Sequence, residues 1–496
     1  MKSIENVCEK QYKLSLVELF YLLFVFIMFV MKGLGLYDGQ VIYTVLFLVA
    51  FLCLACKFLF CECSYLEWIL MLLLGVLALI MNRVSGEKGP LIMVAIILGM
   101  KNVSLEKVVK LGAVSFGVST AVKVAYNLIF LSSSGCYQAP KLGMVKCIRW
   151  YLGYAHPNTV AIGYLAFVTM VVYCLNRQYN WKHFIILNVG NLFLNFYCLG
   201  YTGMLITAGY LVLAYFAVHY QLKHRIWFWI MECVFPACIL FSVFIPFVIP
   251  EGIAEYIRVN FDTINSRLKL ARMYFTPENI SLWGVNVSTL TDSRFTLDNS
   301  YLYCFVFNGV VAFVLLCIGY LFMIHQYAKQ RKQRELAIIM TLLLAGILEP
   351  FLFNTSFKNL SLFFLGAYFW ELIEKVATDK AEKGLWKKVP ALIKNRVREY
   401  KLPAWVTDWD WKVSNQEVFC LCGGSLVAMA VAFVVNQIVP IDASFFTQEM
   451  IDKFAVYDEL PKAIRLENLR QVAAMWAGMT MAMVAVFYGV RNRNHL

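Results

Sequence analysis

The chain has 496 residues, of which 61% are hydrophobic and 15% charged, with a formal net charge of +13. Soluble domains carry roughly 45–50% apolar and about 25% charged residues, so a water-soluble globular fold is excluded. The basic excess reads as membrane topology rather than nucleic-acid binding, because no aromatic-interleaved basic groove or Gly-rich phosphate loop accompanies it.

The apolar residues come in blocks long enough to cross about 30 Å of hydrocarbon at about 1.5 Å per residue. The first block, 14–31, is too long for a signal-peptide core, and no small-residue cleavage site follows it. Further spans are expected near 41–60, 65–81, 90–100, 109–131, 157–175, 183–199, 203–219, 227–249, 300–323, 336–352, 357–372, 416–439 and 471–490. The expected fold is therefore all-α, a polytopic bundle of about 14 transmembrane helices. The span at 90–100 is short enough to be re-entrant.

Basic residues cluster in alternate connections. They include Lys2, Lys10 and Lys13, then Lys101, Lys107 and Lys110, then Arg177 and Lys182, then Lys223 and Arg225, then Lys329, Arg331, Lys332 and Arg334, and finally Arg491 and Arg493. Alternating spans put all of these on one side, which the positive-inside rule makes the cytoplasm, with both termini there. Three parts follow: a twelve-span core over 1–375, a basic cytoplasmic segment over 376–415, and two additional helices with an outer loop over 416–496. The middle segment holds Trp386, Trp405, Trp409 and Trp411 and suits anionic inner-leaflet lipid. No internal repeat or low-complexity stretch is visible.

The opposite side receives three loops, about 132–156, 250–298 and 440–470. Within the second, Ile257, Phe261, Ile264, Leu268 and Tyr274 recur at helical spacing, so an amphipathic helix on the outer interface is expected. Most of the fifteen cysteines lie in apolar blocks and act as small hydrophobes. Cys53/Cys56, Cys61/Cys63 and Cys420/Cys422 have metal-like spacing without a His or second pair, so no metal is expected. Cys136 and Cys147 share one outer loop and could form a disulfide.

Arg149, Arg267 and Arg272 stand near hydrophobic segments at the outer face, where a guanidinium suits bidentate binding of phosphate oxygens. Interface anchoring is the plainer alternative, as is a solvated surface for Lys141, Lys146 and Arg258. His156 ends a turn rich in polar groups, and Pro157 opens a helix where proline is tolerated. Asp298 and Asn299 precede a span, where either could also serve as a helix cap. Glu349 and Lys358 lie near the ends of two spans and either act in function or pair with each other.

The order of these features is informative: an Arg149–Asn158 turn, a central helix pair, a long outer loop with Ser266-Arg267, then Leu297-Asp298-Asn299-Ser300-Tyr301 and a span with Gly309. Over about residues 10–375 it resembles the Wzy-type polysaccharide polymerases of Gram-positive bacteria, in the superfamily that includes the O-antigen ligases. The resemblance implies an enzyme of the bacterial cytoplasmic membrane acting in capsule or exopolysaccharide synthesis. It would transfer a glycan from undecaprenyl pyrophosphate to a lipid-linked repeat unit at the outer face. Arg149, Arg267, Arg272, Asn158 and Asn299 would hold the substrate, with the cations stabilising charge on the leaving pyrophosphate. Asp298 or His156 would be the catalytic base. It implies no metal and no cofactor. The partners implied are undecaprenyl-pyrophosphate-linked oligosaccharides, the bilayer, and flippase and chain-length regulator proteins.

Two departures stand out. Gly200-Tyr201-Thr202-Gly203 stands where many relatives have Ser-Arg-Thr, so either another cation such as Arg149 replaces the missing arginine or the enzyme is altered. Asp298-Asn299 stands where the ligase branch has a His, which favours polymerase over ligase. The competing readings are a lipid-linked oligosaccharide flippase, for which Lys123 is the deepest charge, a ligase-like glycan transferase, and a scaffold using 376–415. Alkaline phosphatase fused after Pro140 should be active and fused after Leu222 inactive; the reverse pattern would invert the expected topology.

Overall fold

The fold is described from a computed structural model. The structure describes residues 9–130, 135–141, 144–250, 252–253, 255–256, 262–286, 297–379, 384–403, 411–438, 448, 451–452 and 460–470. The expected span at 471–490, together with Arg258, Arg294, Trp405 and Trp409, lies outside them.

Helices dominate: α1 (Leu16–Gly33), α2 (Val41–Leu59), α3 (Tyr65–Ser85), α4 (Gly89–Gly99), α5 (Leu105–Ile129), α6 (Pro157–Leu175), α7 (Trp181–Cys198), α8 (Tyr201–His219), α9 (Arg225–Val243), α10 (Asp262–Tyr274), α11 (Val310–Lys329), α12 (Gln333–Ala345), α13 (Ser361–Asp379) and α14 (Asn415–Ile438). Among the described residues eight of these, α1, α2, α3, α5, α6, α8, α9 and α11, are long and apolar enough to cross a membrane. The chain is an all-α polytopic membrane bundle. Its strands form three two-stranded antiparallel ribbons among the described residues: β1 (Glu9–Ser15) with β6 (Val397–Pro403), β2 (Cys63–Ser64) with β5 (Lys388–Val389), and β3 (Cys136–Lys141) with β4 (Met144–Trp150).

The chain divides into two compact units. One comprises 1–117, 169–176 and 216–409; the other comprises 118–168, 177–215 and 410–496. The basic stretch around 397 thus belongs with the first helices, and the described residues between 411 and 470 belong with 118–168.

In the first unit, α1 and α3 start with the same device. Ser15 Oγ accepts from Glu18 N–H at 3.1 Å and Glu18 reaches back to Ser15 N–H. Ser64 and Glu67 repeat this reciprocal cap. The β1–β6 and β2–β5 pairs hold both starts at one end, with Glu9 opposite Pro403 and Cys63 opposite Val389. Buried lysines finish that end. Lys57 Nζ donates to the carbonyls of Gly99 and Lys101, while Lys101 pairs with buried Glu67. Lys107 bonds Glu18 at 2.9 Å. Gly99 is required here, because a Cβ would overlap the Tyr21 ring, whose hydroxyl donates to Ile96 O at 2.9 Å.

The other end departs from the hydropathy reading. The expected span at 300–323 is broken. One helical turn (Ser300–Tyr303) and a wide turn (Cys304–Asn308) stop at Gly309, with φ +92°, before α11 begins. The segment 281–285 lies across the break. Ser281 O and Leu282 O accept from Val310 and Val311 N–H at 3.0 and 3.2 Å, satisfying amides that a helix start leaves open.

The expected span at 336–352 is also shorter. α12 has 13 residues, about 20 Å, and residues 346–360 are irregular and largely buried. Side chains answer the irregular carbonyls: Asn308 to Phe353 O, Asn359 to Leu352 O, both at 2.9 Å, and Ser300 to Glu349 O at 2.6 Å. Buried irregular backbone is tolerated in a membrane protein on this condition.

In the second unit the expected loop at 132–156 contains the β3–β4 hairpin. Cys136 faces Trp150 and Cys147 faces Ala139, so the two thiols are not opposite one another; both are free. The disulfide expected from their shared loop is corrected. Near α7 and α8, a Cβ on Gly203 would stand 2.6 Å from Ala161 Cβ, so backbones approach closely there.

Glu67 is the acid that answers Lys101 and caps α3. Glu67→Ala should cost about 3–5 kcal/mol, as expected for a buried charge left alone. Thermal unfolding of the detergent-purified protein would measure the loss.

Candidate functional site

Residues singled out by sequence fall into both units. In the second unit, β4 delivers Arg149 and then turns sharply. Leu152 (φ +48°) and Gly153 (φ +82°) take left-handed conformations, and Tyr154 N–H closes the turn on Tyr151 O at 3.0 Å. Gly153 has a second constraint: a Cβ there would overlap the Asn127 amide and Lys123 Cε. Lys123, the deepest charge in the flippase reading, therefore packs across this turn.

Arg149 is buried at 6% exposure. Its Nε donates to Cys198 O at 2.9 Å and its Nη2 donates to Asn158 Oδ1 at 2.5 Å. Leu199, in a left-handed conformation at φ +48°, ends α7 and is followed by Gly200. A Cβ on Gly200 would stand 3.7 Å from Asn158 Oδ1. One guanidinium thus ties the end of β4, the start of α6 and the end of α7, two residues before the Gly200-Tyr201-Thr202-Gly203 stretch.

His156 Nδ1 accepts from Asn158 N–H at 3.2 Å, capping α6 where Ser or Asp would be usual. Desolvation and then Arg149 push the imidazole below its usual value of 6.5. Its exposed edge moderates that shift. With Nδ1 accepting, the neutral ring carries its proton on Nε2. In this geometry the neutral His156 ring presents an N–H at Nε2.

Sequence reading missed the 460–470 helical segment, which sits inside the expected third outer loop. Trp150 Nε1 donates to Glu467 Oε2 at 2.7 Å, and Glu467 pairs with Arg470. Arg470 is fully buried and donates to Ile148 O at 2.9 Å and Phe196 O at 3.1 Å. The residues on both sides of Arg149 are clamped by this pair. Burial pushes the Glu467 carboxyl up, with Arg470 pulling it back. The signal was present: Leu460, Ile464, Glu467 and Arg470 recur at helical spacing.

In the first unit, Arg267 lies in α10; its side chain is outside the described residues. Arg272 is exposed, with Nε donating to Pro246 O. Asp298 is half-buried. The Asn299 side chain accepts from Tyr301 and Leu302 N–H, both at 3.0 Å, and donates to Ser242 Oγ at 2.9 Å and Ile347 O at 3.1 Å. All its amide capacity is engaged within the protein. The geometry gives Asn299 the capping role rather than a substrate contact.

The same end of this unit gathers charges that the sequence did not bring together. Tyr303 OH donates to Glu87 at 2.7 Å, and Lys88 pairs with Asp38 at 2.6 Å. Buried Lys32 places its ammonium 4.4 Å from the Tyr43 ring centre. Glu349 and Lys358 are both buried in the irregular segment. Burial and then Lys32 push Lys358 down to about 7, while Glu349 pulls it back. Burial raises the Glu87 carboxyl; the Tyr303 hydrogen bond opposes this.

No protein-family model, curated protein or solved structure matches the chain. What the fold defines is a polytopic membrane protein with a buried arginine at a helix–hairpin junction.

Arg149→Lys keeps the charge and loses the fork. It should destabilise by about 1–3 kcal/mol, the cost of leaving buried acceptors unmet. Thermal unfolding beside Lys146→Ala as a control would read this.

Proposed function

We propose that this membrane protein is a glycosyltransferase that polymerises undecaprenyl-pyrophosphate-linked oligosaccharide repeat units at the outer face of the bacterial cytoplasmic membrane. The observation that carries the reading is Arg149, held between Cys198 O and Asn158 beside the stretch that lacks the family's arginine. A buried guanidinium carried by β4 and bonded two residues before that stretch supports the reading.

The chemistry needs little else. A hydroxyl of the acceptor sugar attacks the anomeric carbon of the donor glycan. The bond from that carbon to the pyrophosphate oxygen breaks, and the hydroxyl proton passes to a base. Negative charge grows on the leaving pyrophosphate, and preorganised guanidinium groups stabilise it. Within the second unit Arg149 is assigned that role, with His156 Nε2–H a donor to the substrate; within the first, Arg267 and Arg272 are the candidates for it and Asp298 the candidate base. Flippase and chain-length regulator proteins are the expected partners.

Undecaprenyl-linked glycans should be measured in a strain lacking this chain. Single repeat units accumulating on the outer leaflet, with long polymer lost, are the expected result. Single units held on the inner leaflet would overturn the polymerase in favour of a flippase. Complementation with Arg267→Ala should give inserted protein and no elongation; normal polymer length would remove Arg267 from the site.

A further inference from the structure

We propose that residues 384–398 of the first unit form a lipid-binding strap, in which Lys387, Lys388, Lys394, Arg396 and Arg398 hold the phosphates of anionic lipids while Leu392 and Ile393 enter the bilayer interface. The inference goes beyond the polymerase reading and does not depend on it. Composition offers anionic lipid to the whole of 376–415 through its tryptophans. The folded chain picks out a smaller and different set of residues.

The strap is fixed by its backbone. Tyr65 N–H donates to Lys387 O at 3.3 Å, Ile393 N–H to Leu59 O at 3.0 Å, and Leu16 N–H to Arg396 O at 3.3 Å. These contacts fall at the start of α3, the end of α2 and the start of α1. Between and beyond them, Val389 stands opposite Cys63 and Val397 opposite Ser15 in the two ribbons. All three helices are long and apolar enough to cross a membrane, so their ends mark where hydrocarbon gives way to headgroups. Tyr65 and Trp68 are exposed at the start of α3, and such aromatic side chains favour that level. The strap is thus held at the membrane face before any ligand arrives.

Its side chains are left over. From 384 to 398 there are five basic residues and no acidic one. All five are exposed, and none has a side-chain hydrogen bond or ion pair among the described residues. They differ in this from Lys57, Lys101 and Lys107 at the same end, which carbonyls or carboxylates answer. Among the cations, Leu392 is 81% exposed, and Ile393 is exposed beside the exposed Leu59. Apolar side chains rimmed by charge mark an interaction surface. A soluble polyanion would answer the cations alone. An anionic lipid surface answers both, with phosphates for the cations and the acyl boundary for the apolar pair.

The purified full chain in detergent, titrated with phosphatidylglycerol and separately with phosphatidylcholine and followed by native mass spectrometry, tests this. Phosphatidylglycerol should be retained in preference, and less so as salt is raised. Lys387→Gln, Lys388→Gln and Lys394→Gln together should weaken it about tenfold or more. The charge-matched control Lys223→Gln, Lys329→Gln and Arg331→Gln, in other exposed connections, should cost far less. Leu392→Gln should weaken binding with no change in charge. The strap is held through its backbone, so these variants should unfold at the wild-type temperature. Equal retention of phosphatidylcholine, an equal loss in the control, or unchanged binding in the strap variants would overturn the lipid site. So would glycerol phosphate or heparin binding as tightly as the lipid, which would make the strap a surface for soluble anions.

Discussion

Water does not enter the hydrocarbon core of a bilayer, so a buried amide, carbonyl or ammonium is costly unless the protein supplies its partner. Most of the architecture follows from that constraint. Lys57 ends α2 inside the fold because the carbonyls of Gly99 and Lys101 receive its ammonium. Helix α11 starts at a break because Ser281 and Leu282 turn their carbonyls to its open amides. The irregular 346–360 segment is buried because Asn308, Asn359 and Ser300 answer its backbone. Apolar packing fills the space between these points, as where Phe29 meets Phe357 at 5.0 Å, and the polar pairs fix the register.

The junction around Arg149 applies the same rule to three elements at once. A guanidinium has five donors in a rigid fork, so it can bind a strand end, a helix start and a helix end together where a lysine could not. Arg470 does the equivalent one layer behind, on Ile148 and Phe196. Two arginines alternate through one hairpin edge. Both are buried.

The helices were legible because hydropathy reports length and mean polarity, and starts such as Pro157, Val41 and Tyr65 lie within a few residues of their expected places. Hydropathy cannot report what covers an apolar residue. Phe351 and Leu352 fall in the expected span 336–352, yet they are buried in protein beyond the end of α12. Gly309 was visible within its apolar run, but only its positive φ reveals the break. The β3–β4 hairpin has no Asn-Gly turn and no clean alternation to announce it. Lys32 and Lys358 meet across more than three hundred residues, and a single sequence carries no trace of such a meeting.

The β1–β6 ribbon has a consequence for how the protein is made. Glu9 pairs with Pro403, so the first strand waits for a partner roughly 390 residues away. At about 5–20 residues per second that is a wait of about 20–80 s on the ribosome. During it, the strand is an unpaired edge next to α1, able to join any other free edge. Its charged residues, Glu9, Lys10 and Lys13, keep that edge soluble until the chain closes on itself. Closing the ribbon is thus a late event that can occur only after α2 to α13 have been synthesised.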